Sequence, residues 1–114
     1  MLLPPLVRQL VEIKLAHYCE RKVSDQLKDL IRLKFKIWRT HVTLIEARPH
    51  WSDPSEWTEL KVAQFRYDPA GNHWSLFCSD HNEKWLRYIE VAPSPRIDDL
   101  LEEVDEDPIG IFWG

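Results

Sequence analysis

Two glutamates and a lysine are spaced as a metal-dependent hydrolase would need them. Glu46 closes one predicted strand, and Glu59 and Lys61 open the next. If these strands pair, the three side chains lie near each other at one end of a hairpin. Two carboxylates beside a lysine can hold Mg²⁺ and activate water for phosphodiester cleavage. The pattern leaves a nuclease-like enzyme open, although carboxylates beside lysines on a surface usually form only weak ion pairs.

Arginines and tryptophans recur along the predicted strands and in the loop after the second strand. Guanidinium groups bind carboxylates or phosphates bidentately and stack on indole rings. The pattern predicts either a clamp for an anionic ligand or a lattice of cation–π contacts and salt bridges that stiffens the sheet. The residues concerned are Arg48, Arg66, Arg87, Trp51, Trp74 and Trp85.

The first predicted strand carries positive charge on one side, where Arg32, Lys34, Lys36 and Trp38 alternate with apolar residues. Lysine and arginine neutralise phosphates and an indole stacks on a base, so the side could bind single-stranded nucleic acid. Two other interpretations are favoured over a nucleic-acid partner. The charges can protect an edge strand from aggregation, or the acidic segment Asp98–Asp107 can fold over them.

Metal and cofactor sites have little support in the sequence. Cys78 and His81 have ligand-like spacing, but a zinc site needs a second pair of ligands. With three glycines the chain has no phosphate-cradling loop, and it has no Gly-x-Ser-x-Gly turn. Cys19 and Cys78 fit free thiols in a reducing compartment. We therefore predict no metal, cofactor or catalytic residue. We also predict no membrane segment and a cytoplasmic location.

The elements that must position these residues follow from hydrophobic periodicity. Strict alternation predicts strands, and a spacing of three and four predicts helices. The sequence indicates an α+β fold with an N-terminal helix over 5–21, an antiparallel five-stranded meander, and a short helix that opens at Pro93 and stops at Asp107. The predicted strands cover residues 30–38, 41–48, 59–67, 73–79 and 84–90. Because the later strands carry apolar residues on both sides, we expect both faces of the sheet to be partly covered.

The N-terminal helix carries two adjacent apolar rows, which is more than one buried side requires. The first row is Leu3, Leu6, Leu10, Ile13 and His17, and the second is Val7, Val11, Leu15 and Tyr18. This pattern predicts a helix that is largely buried or shared with a second copy in a homodimer.

The C-terminal segment Ile109–Gly114 carries large apolar residues at the chain terminus. Since such a terminus would otherwise be exposed, we expect it to dock on the sheet.

Length and charge fit one domain with an uneven surface. The 114 residues suit a single domain spanning residues 1–114. Residues 1–48 hold ten Lys or Arg and five Asp or Glu, a net of +5, whereas residues 49–114 hold five and fourteen, a net of −9. Charge asymmetry of this kind marks either a surface for polyanions or two parts that fold onto each other.

Five segments follow one another in a distinctive order along the chain: Glu46–Trp51, Val62–Tyr67, Trp74–Phe77, Lys84–Tyr88 and Asp107–Gly114. Together they resemble an uncharacterised bacterial family, the domain of unknown function 3024. Ala47 and Leu86 depart from that family's pattern, and the resemblance implies no activity and no functional residues. The sequence as a whole favours a binding or oligomerisation module over an enzyme.

Overall fold

The computed structural model describes residues 1–80 and 82–113. Its five strands form one sheet in the order β1-β2-β3-β4-β5, and each neighbouring pair is antiparallel. The predicted α+β architecture, with a meander between an N-terminal and a C-terminal helix, is confirmed. The elements are α1 (Pro5–Lys22), a 3-10 turn (Asp25–Leu27), β1 (Arg32–Trp38), β2 (His41–Pro49), β3 (Trp57–Asp68), β4 (His73–Ser79), β5 (Trp85–Arg87) and α2 (Ile97–Glu106).

A bulge in β3 sets which side chains share a face of the sheet. Leu44 of β2 pairs with Ala63, but the next residue, Ile45, pairs with Lys61, so Val62 is the extra residue. Because side chains alternate along a strand, the extra residue reverses the alternation in the first half of β3. Glu59 and Lys61 therefore lie on the same face as Gln64 and Arg66.

Both helices pack on one side of the sheet, which we call the helix face. Lys14 Nζ lies 2.5 Å from Asp98 Oδ2, and Lys22 Nζ lies 2.9 Å from Asp105 Oδ1. Since the residue numbers rise together in both pairs, α1 and α2 run side by side in the same direction. The shared core is apolar and includes Val11, Leu15, Tyr18, Val42, Leu44, Phe65, Leu76, Leu100 and Val104.

The opposite side of the sheet, the open face, carries neither helix. The expected partial covering of both faces comes, on this side, from side chains of the sheet itself and not from a helix. Ile45 and Ala47 are buried here, because they lie between longer side chains of the neighbouring strands. The open face is formed by Arg32, Lys34, Lys36, Trp38, His41, Thr43, Ile45, Ala47, Trp57, Glu59, Lys61, Gln64, Arg66, Asp68, His73, Ser75, Phe77, Ser79, Trp85 and Arg87.

The C-terminal segment docks as expected, through its two aromatic residues. Phe112 is buried in the core, and Trp113 Nε1 donates to Val104 O at 2.8 Å. Ile109 and Ile111 stay exposed. Gly114 lies outside the described residues.

Candidate binding surface on the open face

A groove of about 440 Å³ runs across the open face. Gln64 lines the groove and is a polar residue that is buried, with 6% of its surface exposed. Trp38 of β1 is 64% exposed and lines the groove together with Trp85 of β5. The groove therefore combines indole rings from the two edge strands with polar side chains between them. The other lining residues are Lys36, Thr43, Ile45, Glu59, Lys61 and Glu83.

A chain of polar contacts fixes the centre of the surface. Gln64 Nε2 donates to Thr43 Oγ1 at 3.0 Å, and Arg66 Nε donates to Gln64 Oε1 at 2.7 Å. The Arg66 guanidinium in turn lies over the Phe77 ring, with Cζ 3.9 Å from the ring centroid. Three neighbouring strands thereby hold one guanidinium in place.

Aromatic rings extend this arrangement toward the β1–β2 turn. Trp38 meets His41 edge to face at 5.9 Å between ring centroids, and Arg39 Cζ lies 5.0 Å from the Trp38 ring. Partial burial, together with the neighbouring Arg66 charge, lowers the pKa of His41. His41 therefore favours its neutral form and adds aromatic surface rather than charge.

The open face is electropositive although the whole chain carries a net charge of −4. Its strand residues include six Lys or Arg and two carboxylates, Glu59 and Asp68, which gives a net of +4. Glu59 pairs with Lys34 and lies 4.0 Å from Lys36. The hydrogen bond from Lys34 lowers the pKa of Glu59, so this carboxylate is ionised at neutral pH.

The acidic segment does not mask this surface, so the interpretation in which it folds over the basic strand is wrong. α2 lies on the helix face, where Asp98 and Asp105 pair with Lys14 and Lys22 of α1. Arg32, Lys34, Lys36 and Trp38 lie on the open face and are exposed. The amphipathic pattern of α2 decides this placement, since its four core residues must face the sheet: Ile97, Leu100, Leu101 and Val104.

The predicted cluster of arginines and tryptophans is divided among several places. Arg66, Arg87 and Trp85 lie on the open face, whereas Trp74 is 2% exposed in the core and packs on Tyr67. Trp51 is 90% exposed in the β2–β3 loop.

Arg48 of β2 lies on the helix face, where its Nε donates to Glu46 Oε1 at 2.7 Å. Arg48 and Arg66 lie on neighbouring strands, but the antiparallel register places them at opposite ends of the hairpin. The six residues therefore do not form one clamp.

The carboxylates of the nuclease-like alternative lie on opposite faces. Glu46 pairs with Leu60 across β2 and β3, and Glu59 and Lys61 flank Leu60 on the same strand. Alternation sends Glu46 to the helix face and the other two residues to the open face. The three side chains do not converge on one ion.

Other chemistry is sparse among residues 1–80 and 82–113. Within these residues no group of three or more His, Cys, Asp or Glu side chains is placed to hold a metal ion. His81, the second member of the Cys78–His81 pair, lies outside this part of the chain. Cys19 and Cys78 are both free thiols. Over the same described residues, neither helix has the length and apolar character required to cross a bilayer.

Sequence reasoning missed Gln64 and Phe77 as parts of the surface. The alternation along β3 and β4 could have identified them, because it puts Gln64, Arg66 and Phe77 on one side of the sheet. That Glu59 and Lys61 share this side could not be predicted, because an alternation without the bulge at Val62 would place them on the helix face.

No curated protein and no solved structure matches the chain. A family model described as "Domain of unknown function (DUF3024)" matches residues 3–114. The chain therefore belongs to the DUF3024 family.

Proposed function

We propose that this chain is a non-enzymatic binding module that takes single-stranded nucleic acid on its open face. The observation that supports this proposal most directly is the exposed indole of Trp38, which lies beside Lys36 on a face with a net charge of +4. A basic surface with interleaved aromatic rings is how sheet surfaces bind single strands. The position of α2 on the other face supports the proposal, because it removes the intramolecular competitor.

The chemistry of a single strand fits the two kinds of side chain in the groove. Lys36 and Lys61 neutralise phosphates, and each neutralised phosphate releases condensed counterions. Trp38 and Trp85 offer ring faces on which unpaired bases stack. A duplex keeps its bases stacked inside, so it gains the charge contacts without the indole contacts.

The test is fluorescence anisotropy with labelled single-stranded DNA and RNA oligonucleotides at several salt concentrations. We expect Trp38→Ala to weaken binding about tenfold, since one base stack contributes about 1–3 kcal/mol. Trp51→Ala is the matched control, because Trp51 is more exposed than Trp38 but lies in the β2–β3 loop. Equal effects of the two substitutions, or no salt-dependent binding by the wild type, would overturn the proposal.

A second set of variants separates charge from stacking. Lys36→Gln removes a phosphate contact, so the slope of log K against log salt should become shallower by about 0.7. Arg96→Gln is its control, because Arg96 is exposed next to α2, away from the open face.

A cytoplasmic location belongs to the same proposal and is supported by the two free thiols.

A further inference from the structure

One row of large apolar side chains on α1 faces solvent. The second predicted row, with Val11, Leu15 and Tyr18, is buried against the sheet. From the first row only Leu3 is buried, because it precedes the helix and turns into the core. Leu6, Leu10 and Ile13 remain 52% to 80% exposed, and Leu2 extends the row toward the N-terminus at 72%.

The exposed row borders a groove of about 470 Å³ between α1 and α2. Leu10, Ile13 and His17 line it from α1, while Leu101 and Glu102 line it from α2. The groove thus offers an apolar strip whose rim is basic along α1, where Arg21 lies, and acidic along α2. A contiguous exposed apolar strip with a polar rim is typical of a protein interface.

The charges of the two helices indicate what fits this groove. α2 carries six carboxylates and no lysine or arginine, whereas α1 carries four Lys or Arg and two Glu. Two of the six carboxylates, Asp98 and Asp105, are paired with α1 of the same chain. These pairs also use Lys14 and Lys22, which leaves Arg21 of α1 and Glu102 of α2 at the groove. A rim that carries both signs is complementary to itself under a two-fold rotation, so a second copy of this chain fits it.

We propose that a second copy of this chain docks through its α1, so that the protein is a two-fold symmetric homodimer. In such an interface the same patch serves both subunits, and each apolar row covers the other. In this arrangement Arg21 of each α1 can pair with Glu102 of the other copy. Because α1 and the open face are on opposite sides of the sheet, the dimer presents two open faces that point outward.

The test measures molar mass by light scattering after size-exclusion chromatography, over a dilution series of the full chain. We expect a dimer for the wild type and a monomer for the double variant Leu6→Glu/Leu10→Glu. Both residues are exposed in the single chain, so the variant should keep its circular dichroism spectrum. Ile89→Glu is the matched control, because Ile89 is 80% exposed, as Leu6 is, but lies beyond β5; it should remain a dimer.

A charge variant tests the orientation of the two helices. Glu102→Arg places a positive charge on the acidic rim and should raise the dimer dissociation constant several-fold, with a smaller effect at high salt. Glu56→Arg, in the exposed β2–β3 loop, serves as the charge-matched control. A monomeric wild type overturns the proposal, and so does a dimer that survives both the Leu6→Glu/Leu10→Glu and the Glu102→Arg substitutions. None of these outcomes depends on nucleic-acid binding, so the two proposals fail independently.

Discussion

Arg66 lies over the ring of Phe77, with Cζ 3.9 Å from the ring centroid, and its Nε donates to Gln64 Oε1 at 2.7 Å. The ring fixes the position of the guanidinium from below, and the amide fixes it from one edge. A side chain held in this way has little conformational freedom left to lose when a ligand binds. Arg66 is therefore a preorganised cation at the centre of the open face.

Replacing Arg66 with lysine separates this preorganisation from charge. The Arg66→Lys variant keeps the charge but loses the planar fork and the stacked ring contact. We expect several-fold weaker oligonucleotide binding with an unchanged salt slope. The free energy of unfolding should fall by about 1 kcal/mol, because the largely buried Gln64 oxygen loses its donor. Anisotropy and urea denaturation measure the two effects, and wild-type affinity in Arg66→Lys would show that only the charge matters.

Neutralising Glu59 should strengthen binding. Glu59 pairs with Lys34 and lies near Lys36, so it competes with phosphates for both ammonium groups. We expect Glu59→Gln to bind single strands about tenfold more tightly at low salt, with a steeper salt dependence. Glu106→Gln on α2 removes the same charge from the helix face and should change affinity little. Equal gains from the two substitutions would mean that only net charge is sensed.

Local patterns predicted the elements well where one face of a strand is buried. β1 shows this, because its apolar residues Leu33, Phe35 and Ile37 alternate with exposed ones and no neighbour changes that order. β3 shows the limit. The bulge at Val62 arises from pairing with β2, so it has no signature within the strand. Both the nuclease-like alternative and the composition of the open face depended on that one residue.

The candidate site was harder to predict because charge alone does not fix which element lies on which face. The basic strand and the acidic helix suggested a direct contact. In the structure each instead pairs with a nearer element. Lys34 of the basic strand pairs with Glu59 of β3, and Asp98 of the acidic helix pairs with Lys14 of α1. The core residues of α2 determine its side of the sheet, and burial of four apolar side chains outweighs weak surface attraction.

Two tyrosines should make the protein sensitive to alkaline pH. Burial raises the pKa of both Tyr18 and Tyr88 above the ordinary value of 10.0, and hydrogen bonds to Asp105 and Glu103 add to the shift. Above about pH 10 the unfolded chain ionises these phenols while the folded chain keeps them neutral. The stability contribution is thus complete below pH 10 and is lost as the pH rises.

The measurement is the melting temperature of the wild type and of Tyr18→Phe/Tyr88→Phe between pH 7 and about pH 11. The double variant should be less stable at pH 7, since it loses two hydrogen bonds to carboxylates. Its melting temperature should nevertheless fall less between pH 9 and 11. Lysine deprotonation affects both proteins alike, so parallel curves would contradict this prediction.

Asp107 holds the C-terminal segment in its docked position. The residue ends α2 with a left-handed backbone, at φ 44 and ψ 58. Its Oδ1 accepts from the backbone N–H groups of Ile111 and Phe112 at 2.8 and 3.0 Å, and its Oδ2 accepts from that of Trp113 at 2.9 Å. One carboxylate therefore satisfies three donors and orients Phe112 toward the core.

Substitution of Asp107 should loosen this segment in two steps. Asparagine tolerates the left-handed backbone but replaces one acceptor oxygen with an amide group, so Asp107→Asn should lower the free energy of unfolding by about 1–2 kcal/mol. Asp107→Ala adds backbone strain and removes every acceptor, so its loss should be larger. Phe112→Ala should cost about 3 kcal/mol, since Phe112 is buried in the core. Urea denaturation followed by circular dichroism measures all three, with Glu106→Gln as the neighbouring control. If Asp107→Asn and Asp107→Ala both unfold at the same urea concentration as the wild type, the three hydrogen bonds do not stabilise the docked segment.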